Sequence, residues 1–282
     1  MRRTILSALC LLAAAVVRGQ QPTPGAAVRA DGRAVNTRAA VQLLLETRKP
    51  ALAFDPGFSP EEFNRWKRDV SRAVTALMQH PAAGEDSAPQ LLSDEERDGY
   101  RLQKWECYPL AGCAVRFLVL IPGGVSAAAP APAVLCIPGS GQTKELMAGE
   151  PELAPAFELP AAEKRNDMAR QFVRAGMVAV AVDNPCTGET ADLEWVSPKY
   201  RGYDYDDASR VLLELGWSYQ GYASFIDRYV LEWMKRQPAV RHDRIVVSGF
   251  SLGTETLMIL GALDREIYAF VYNDFLCRTR ER

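Results

Sequence analysis

The residues best suited to chemistry are Gly249-Phe250-Ser251-Leu252-Gly253. They follow an apolar run from Arg244 to Ser248 that reads as a strand. They lead at once into Thr254, Glu255, Leu257, Met258 and Leu260, which have the spacing of a helix. A serine between two glycines at a strand-to-helix turn is the setting of a nucleophile elbow. Gly249 and Gly253 permit a tight bend where a Cβ would clash with neighbouring elements. The bend would raise the Ser251 hydroxyl above the sheet, and the helix behind it would offer backbone N–H groups to a developing oxyanion. The chemistry is attack of the Ser251 oxygen on an acyl carbonyl, with the N–H of Leu252 taking up charge.

The rest of an oxyanion hole should come from the loop after an earlier central strand. Ala133 to Ile137 is a continuous apolar run of the kind found in the buried middle of a parallel sheet, and Pro138-Gly139-Ser140-Gly141-Gln142-Thr143-Lys144 follows it. The N–H of Ser140 or of Gly141 is the candidate second donor; the same string also suits an ordinary tight turn. Asp274, 23 residues after Ser251, is the candidate acid. A base is harder to find. The 31 residues after Ser251 contain no histidine. His242 enters the strand that ends at the elbow, so it belongs at the wrong edge of the sheet. His80 follows an amphipathic helix and reads as a surface or helix-end residue. Neither is expected within the roughly 3 Å that proton transfer requires. The expectation is an incomplete chain with its catalytic histidine beyond residue 282, so that residues 1–282 alone turn over little.

The elements that must position these groups are legible. Asn36 to Thr47 looks helical. Ser59, Pro60 and Glu62 form a capping box that opens a helix with Phe63, Trp66, Val70, Val74 and Leu77 on one face. It ends near His80, before a loop through Gln90. Tyr100 to Tyr108 and Cys113 to Ile121 read as strands joined by a short turn. From residue 133 strands and helices alternate: a helix over about 162–175, a strand Met177–Val182, a helix over about 218–236, the elbow strand, a helix over 252–262 and a strand Ile267–Asn273. That alternation implies an α/β fold, a mostly parallel sheet with helices on both faces. The aromatics between Trp195 and Tyr229 either pack or offer rings to a sugar. Asp204, Asp206 and Asp207 read as a helix start, and Asp183 and Glu189 as residues that fix a loop near the site.

Ile137-Pro138-Gly139-Ser140-Gly141, Val182-Asp183-Asn184-Pro185 with Gly188-Glu189, and Gly249-Phe250-Ser251-Leu252-Gly253-Thr254-Glu255 together resemble the α/β-hydrolases, specifically exported bacterial esterases of the dienelactone-hydrolase and acetyl xylan esterase type. The resemblance covers roughly residues 98–282. It implies ester hydrolysis by a Ser–His–Asp triad with no metal or other cofactor, acting on a small ester or an acylated carbohydrate. The C-terminal strands and helices of that fold would be missing. Pro138 departs from the histidine that many relatives carry there. A serine peptidase and a non-catalytic hydrolase-like protein are the alternatives.

The composition excludes several other classes. With 48% apolar and 24% charged residues the chain is globular rather than disordered, and a formal charge of −2 gives no reason to expect nucleic acid as a partner. Met1-Arg2-Arg3, the apolar run Ile5–Val17 and the small residues that follow read as a signal peptide over 1–19, too short to span a bilayer. Its removal takes away Arg2, Arg3 and Arg18 and moves the charge to −5. Export without stable membrane insertion is therefore expected, with residues 20–97 as a linker and helical extension and 98–282 as a partial hydrolase domain. Cys107, Cys113, Cys136, Cys186 and Cys277 remain, an odd number, with Cys107–Cys113 the most plausible bridge across the hairpin turn.

Overall fold

The computed structural model of the chain describes residues 31–82, 88–153, 166–191 and 205–274. The expected signal peptide, the start of the helix expected from 162, Trp195, Tyr200, Tyr203, Asp204 and Cys277 lie outside them. The chain forms two compact units, residues 1–56 with 277–282 and residues 57–276. In the first, α1 (Thr37–Thr47) begins at Asn36, whose side-chain oxygen accepts from the Ala39 N–H at 2.8 Å.

The second unit is built on strands β1 (Gln90–Arg97), β2 (Tyr100–Leu110), β3 (Cys113–Pro122), β4 (Ala131–Ile137), β5 (Val178–Val182), β6 (Val240–Phe250) and β7 (Ala269–Asn273). They form one sheet in the order β1-β2-β3-β5-β4-β6-β7. The pairs from β1 to β5 are antiparallel; β5, β4, β6 and β7 run parallel. Ala133 through Ile137 and Ala179 through Val182 are fully buried, as unbroken apolar strands at a sheet centre should be. Helices cover both faces. On one, α6 (Tyr219–Lys235) and α7 (Gly253–Leu263) bury Val230, Leu231, Trp233, Leu257 and Leu260 against Leu135, Val180 and Val247. On the other, α3 (Lys144–Ala148) and α4 (Met168–Arg174) bury Met147, Ala169 and Val173 against Val134, Ala179 and Ala181.

The capping box of α2 (Pro60–Met78) is present: the Ser59 oxygen accepts from the Glu62 N–H, and the Glu62 carboxylate accepts from the Ser59 N–H. The helix docks on α6 and α7, and Trp217 donates to the Met78 carbonyl at 2.7 Å. His80 follows it, with Nε2 2.9 Å from the Ser224 hydroxyl and its ring edge-on to Phe225. It is a tie between α2 and α6. Trp217 and Phe225 likewise pack against each other, and Trp233 packs on Phe117 and Trp105, so these aromatics are core.

Two expectations need correction, and Gln90–Arg97, left unassigned beyond Gln90 in the sequence, is a strand. The elbow strand begins at Val240, so His242 stands nine residues before Ser251, roughly 30 Å along the strand. Cys107 and Cys113 both keep their thiols. Cys107 faces Val115 across the hairpin while Cys113 faces Leu110, one buried and the other exposed, so the pair is out of register for a bridge.

Asp227 of α6 is buried and takes its contact from Thr256 of α7, with one carboxylate oxygen left without a partner. Burial raises its pKa from 3.8 to about 8. Its stabilising contribution is therefore complete below about pH 4 and is lost as pH rises through 8. Asp227→Asn is expected to remove that loss, several kcal/mol in scale. Urea melts of variant and parent should converge near pH 4 and separate in favour of the variant at pH 8.5.

Candidate active site

The sheet order sets the place. After β4 the chain turns to one side, through α3 and α4, to reach β5; after β5 it crosses over β4 to β6 and continues to β7. The carboxyl ends of β4 and β6 thus sit at a topological switch point, where loops part and leave a crevice. The loop after β4 begins at Pro138 and the turn after β6 is Ser251-Leu252.

Ser251 lies at φ 47°, in the left-handed region that costs a non-glycine residue about 1–3 kcal/mol. Backbone bonds hold it there. Its N–H donates to the Asn273 carbonyl at 3.0 Å, and its carbonyl accepts from the Thr254 N–H at 2.9 Å and the Thr254 hydroxyl at 2.7 Å. The flanking glycines are required by backbone atoms. A Cβ on Gly249 would stand 2.6 Å from the Gly253 carbonyl oxygen, and one on Gly253 would stand 2.5 Å from that of Ile137. No flexible side chain could move aside to relieve either clash. Ser251 remains partly exposed.

The β4 loop lies directly against this turn. A Cβ on Gly139 would come within 3.2 Å of the Ser251 Cβ and 2.7 Å of the Phe250 ring. The loop is pinned from three sides. The Asn184 amide donates to the Pro138 carbonyl at 2.7 Å, the Gln142 N–H donates to the Gly139 carbonyl at 3.2 Å, and the Gln142 side-chain oxygen accepts from the Asn166 amide at 3.1 Å. Gly141 takes φ 73° to close it. Among the described residues the N–H groups of Ser140, Gly141 and Leu252 donate to no acceptor. Unclaimed N–H groups in a loop and a helix start that flank a serine turn are donors an oxyanion could use.

Asp274 stands at the end of β7, exposed and at φ 67°, one residue past the carbonyl that receives the Ser251 N–H. Asn273 ties that strand end to the elbow by donating to the Ser248 hydroxyl at 3.1 Å and to the Gly249 carbonyl at 3.3 Å. Neither histidine reaches this place: His80 is held at Ser224, and His242 lies at the far end of β6.

Sequence reasoning missed the ionic cluster beneath the loop. Lys144, fully buried, has its ammonium 2.7 Å from each of Asp183, Glu145 and Glu189. Asp183 also accepts from the Lys144 N–H at 2.8 Å, so one carboxylate fixes both ends of that residue. Burial alone would lower the Lys144 pKa; the three carboxylates outweigh it and hold the ammonium charged, far above its ordinary range. Glu189 is shared with Lys104 at 2.7 Å and Arg116 at 3.2 Å. Its burial favours the neutral form, but Lys144 and Lys104 prevail and bring its pKa down to about 2. Gly188, at φ 55°, has only 2.5 Å between a would-be Cβ and the Asp183 carboxylate. Asp183 and Glu189 therefore fix loops, and the ammonium is committed to structure. The available sequence signal was a lysine three residues past a Gly-rich turn with acids at 183 and 189.

Asn184 was not anticipated either. Asn184→Ala removes the amide that holds the Pro138 carbonyl and should let the Pro138–Gly141 loop drift; faster hydrogen exchange at the Ser140 and Gly141 amides in the variant reads this directly.

Comparison with known proteins places the fold. A profile of the Abhydrolase family matches residues 21–282. A Bacteroides fragilis protein provisionally described as an acetyl xylan esterase is 52% identical, with a TM-score of 0.80 over 90% of this chain and 64% of its own. The chain thus spans less than two thirds of that relative's length. A glucuronoyl esterase from Solibacter usitatus (13% identity, TM-score 0.52, 89% of this chain and 62% of its own) and an acetyl xylan esterase from Paenibacillus sp. R4 (15%, 0.50, 81% and 62%) share the fold. No curated protein matches. Family match, identity and sheet topology agree, and the chain belongs to the Abhydrolase family of α/β-hydrolases.

Proposed function

We propose that the chain carries the nucleophile and oxyanion hole of an exported serine esterase that removes acyl groups, acetyl among them, from carbohydrate. One observation carries this reading. Ser251 is held in a left-handed bend at the switch point, against a loop and a helix start that leave three N–H groups unclaimed. The name given to the 52% identical relative supports the ester and the sugar.

In this reading the Ser251 oxygen attacks the acyl carbonyl as its proton passes to a base. The N–H groups of Leu252 and Ser140, with Gly141 adjacent, hold the oxyanion of the tetrahedral intermediate. Its collapse expels the alcohol, which takes the proton, and water then repeats the sequence on the acyl-serine. Neither histidine of the sequence stands at Ser251; in this reading Asp274 orients the base that takes the Ser251 proton. Residues 1–19 serve as the export signal, 20–97 as an extension and 98–282 as the hydrolase portion. Among the described residues no helix is long and apolar enough to cross a membrane.

The test uses the full-length gene product. A fluorophosphonate probe should label Ser251, mapped by peptide mass spectrometry, and labelling should stop acetate release from acetylated xylan. Acetate release with the label elsewhere, or faster turnover of aminoacyl amides than of acetyl esters, overturns the assignment.

A further inference from the structure

We propose that the hollow between the segment after α2 and the side of α6 binds a small ligand carrying one carboxylate on a ring. The hollow measures about 390 Å³, within the range of small-molecule sites. His80 and Pro81 form one wall, and Arg228, Tyr229, Glu232 and Arg236 form the other. Arg228, Glu232 and Arg236 recur every fourth residue along α6 and its C-cap, so the helix presents them on one face.

The charges select the ligand. Among the described residues neither Arg228 nor Arg236 forms an ion pair or a side-chain hydrogen bond. Glu232 does not serve them, because its carboxylate accepts from the Lys235 ammonium at 3.0 Å. His80 adds no charge. The Ser224 hydroxyl donates to the Gln220 carbonyl at 2.6 Å, so its oxygen accepts from His80 Nε2 at 2.9 Å, and Nδ1 is the bare nitrogen of a neutral ring. Burial first, and then the charge of Arg228, hold the His80 pKa below its ordinary 6.5. Two guanidiniums and one carboxylate around the hollow leave a surplus of one positive charge. That balance suits a carboxylate, which meets a guanidinium through two parallel hydrogen bonds, better than a doubly charged phosphate.

The other walls describe the rest of the ligand. Pro81 and Tyr229 contribute ring surface, and Phe225, edge-on to the His80 ring with centroids 5.8 Å apart, also borders the hollow. A bare ion would leave most of this volume empty. A six-membered ring bearing the carboxylate occupies it and can rest against Tyr229 or Pro81. A sugar acid and an aromatic acid share that chemistry. Binding here asks nothing of Ser251.

The full-length protein is titrated at constant ionic strength with D-glucuronate and with benzoate, followed by calorimetry and by the ring resonances of its histidines. At least one acid should bind with Kd on the order of 1 mM; the tighter of the two tells sugar acid from aromatic acid. Occupancy should neutralise Arg228 and raise the His80 pKa, while His242, which does not line the hollow, keeps its own. D-glucose and benzyl alcohol, the same rings without charge, should not bind. Arg228→Gln and Arg236→Gln should each weaken binding about tenfold. No binding of either acid, equal binding of the uncharged rings, inorganic phosphate binding as tightly as the acids, or full affinity in both variants would overturn the assignment. The parent's titrations with charged and uncharged rings decide alone if a variant fails to fold.

Discussion

Ser251→Ala in the full-length gene product is expected to lower kcat/KM for an acetyl ester by about 10⁴-fold or more and to abolish fluorophosphonate labelling. The magnitude follows from the role proposed for the hydroxyl: if it is the atom that forms the acyl bond, its loss leaves only the catalysis of the oxyanion hole and of substrate binding. The fold should be indifferent. Every hydrogen bond holding the turn uses the Ser251 backbone rather than its hydroxyl, and alanine meets the same cost at φ 47°. Parent and variant should therefore melt within about 0.5 kcal/mol of each other. A variant that keeps its activity would remove Ser251 as nucleophile. One that unfolds would show that the hydroxyl has a structural task.

The second large effect is on stability. Lys144→Met should cost about 3–5 kcal/mol, because it leaves Asp183, Glu145 and Glu189 around a site with no cation at its centre. Lys104 and Arg116 remain on the far side of Glu189 only, so Asp183 and Glu145 bear most of the loss. The pH dependence carries a sign. In the parent, the Glu189 pKa is brought down to about 2, so its contribution is present above its ordinary 4.5 and is lost as pH falls toward 2. In the variant, lowering pH from 7 toward 4 should narrow the gap to the parent, since protonation relieves the unpaired carboxylates. Urea unfolding at the two pH values measures both terms. A gap that stays constant would mean that packing, and not charge, accounts for the loss.

The two effects separate because the loop after β4 faces two ways. Gly139 looks onto Ser251, while Lys144 anchors the same segment to the end of β5. Damage at the first should silence chemistry in a folded protein, and damage at the second should loosen the fold before it reaches the chemistry.

Much of this was readable in the chain because it is local. The Ser59–Glu62 box, the apolar strands β4 and β5, the stripe of α2 and the Gly-x-Ser-x-Gly turn each depend on residues within a turn or two of one another. Strand β1 was not legible, for Gln-Leu-Leu-Ser-Asp-Glu-Glu-Arg is largely polar and has no sustained apolar alternation. It becomes a strand only by pairing with β2, where Asp94 meets Arg101 and Gln103. Helix α3 is five residues long, too short to announce itself by periodicity; the Thr143 cap and the Asp183 carboxylate keep it in place. The Cys107–Cys113 pairing failed for a related reason, since proximity in sequence says nothing about which strand neighbours face each other.

By itself, the amino-acid order determined what has short range: where strands stop, where helices start, which serine sits between two glycines whose places leave no room for a Cβ. Tertiary structure alone decided which distant segments meet. It put Gly139 against Ser251, Asn184 on the Pro138 carbonyl, three acids around Lys144 and His80 on α6. Backbone dihedrals and caps are set by neighbours along the chain, whereas burial, ion pairing and the coming together of loops depend on the closing of the sheet.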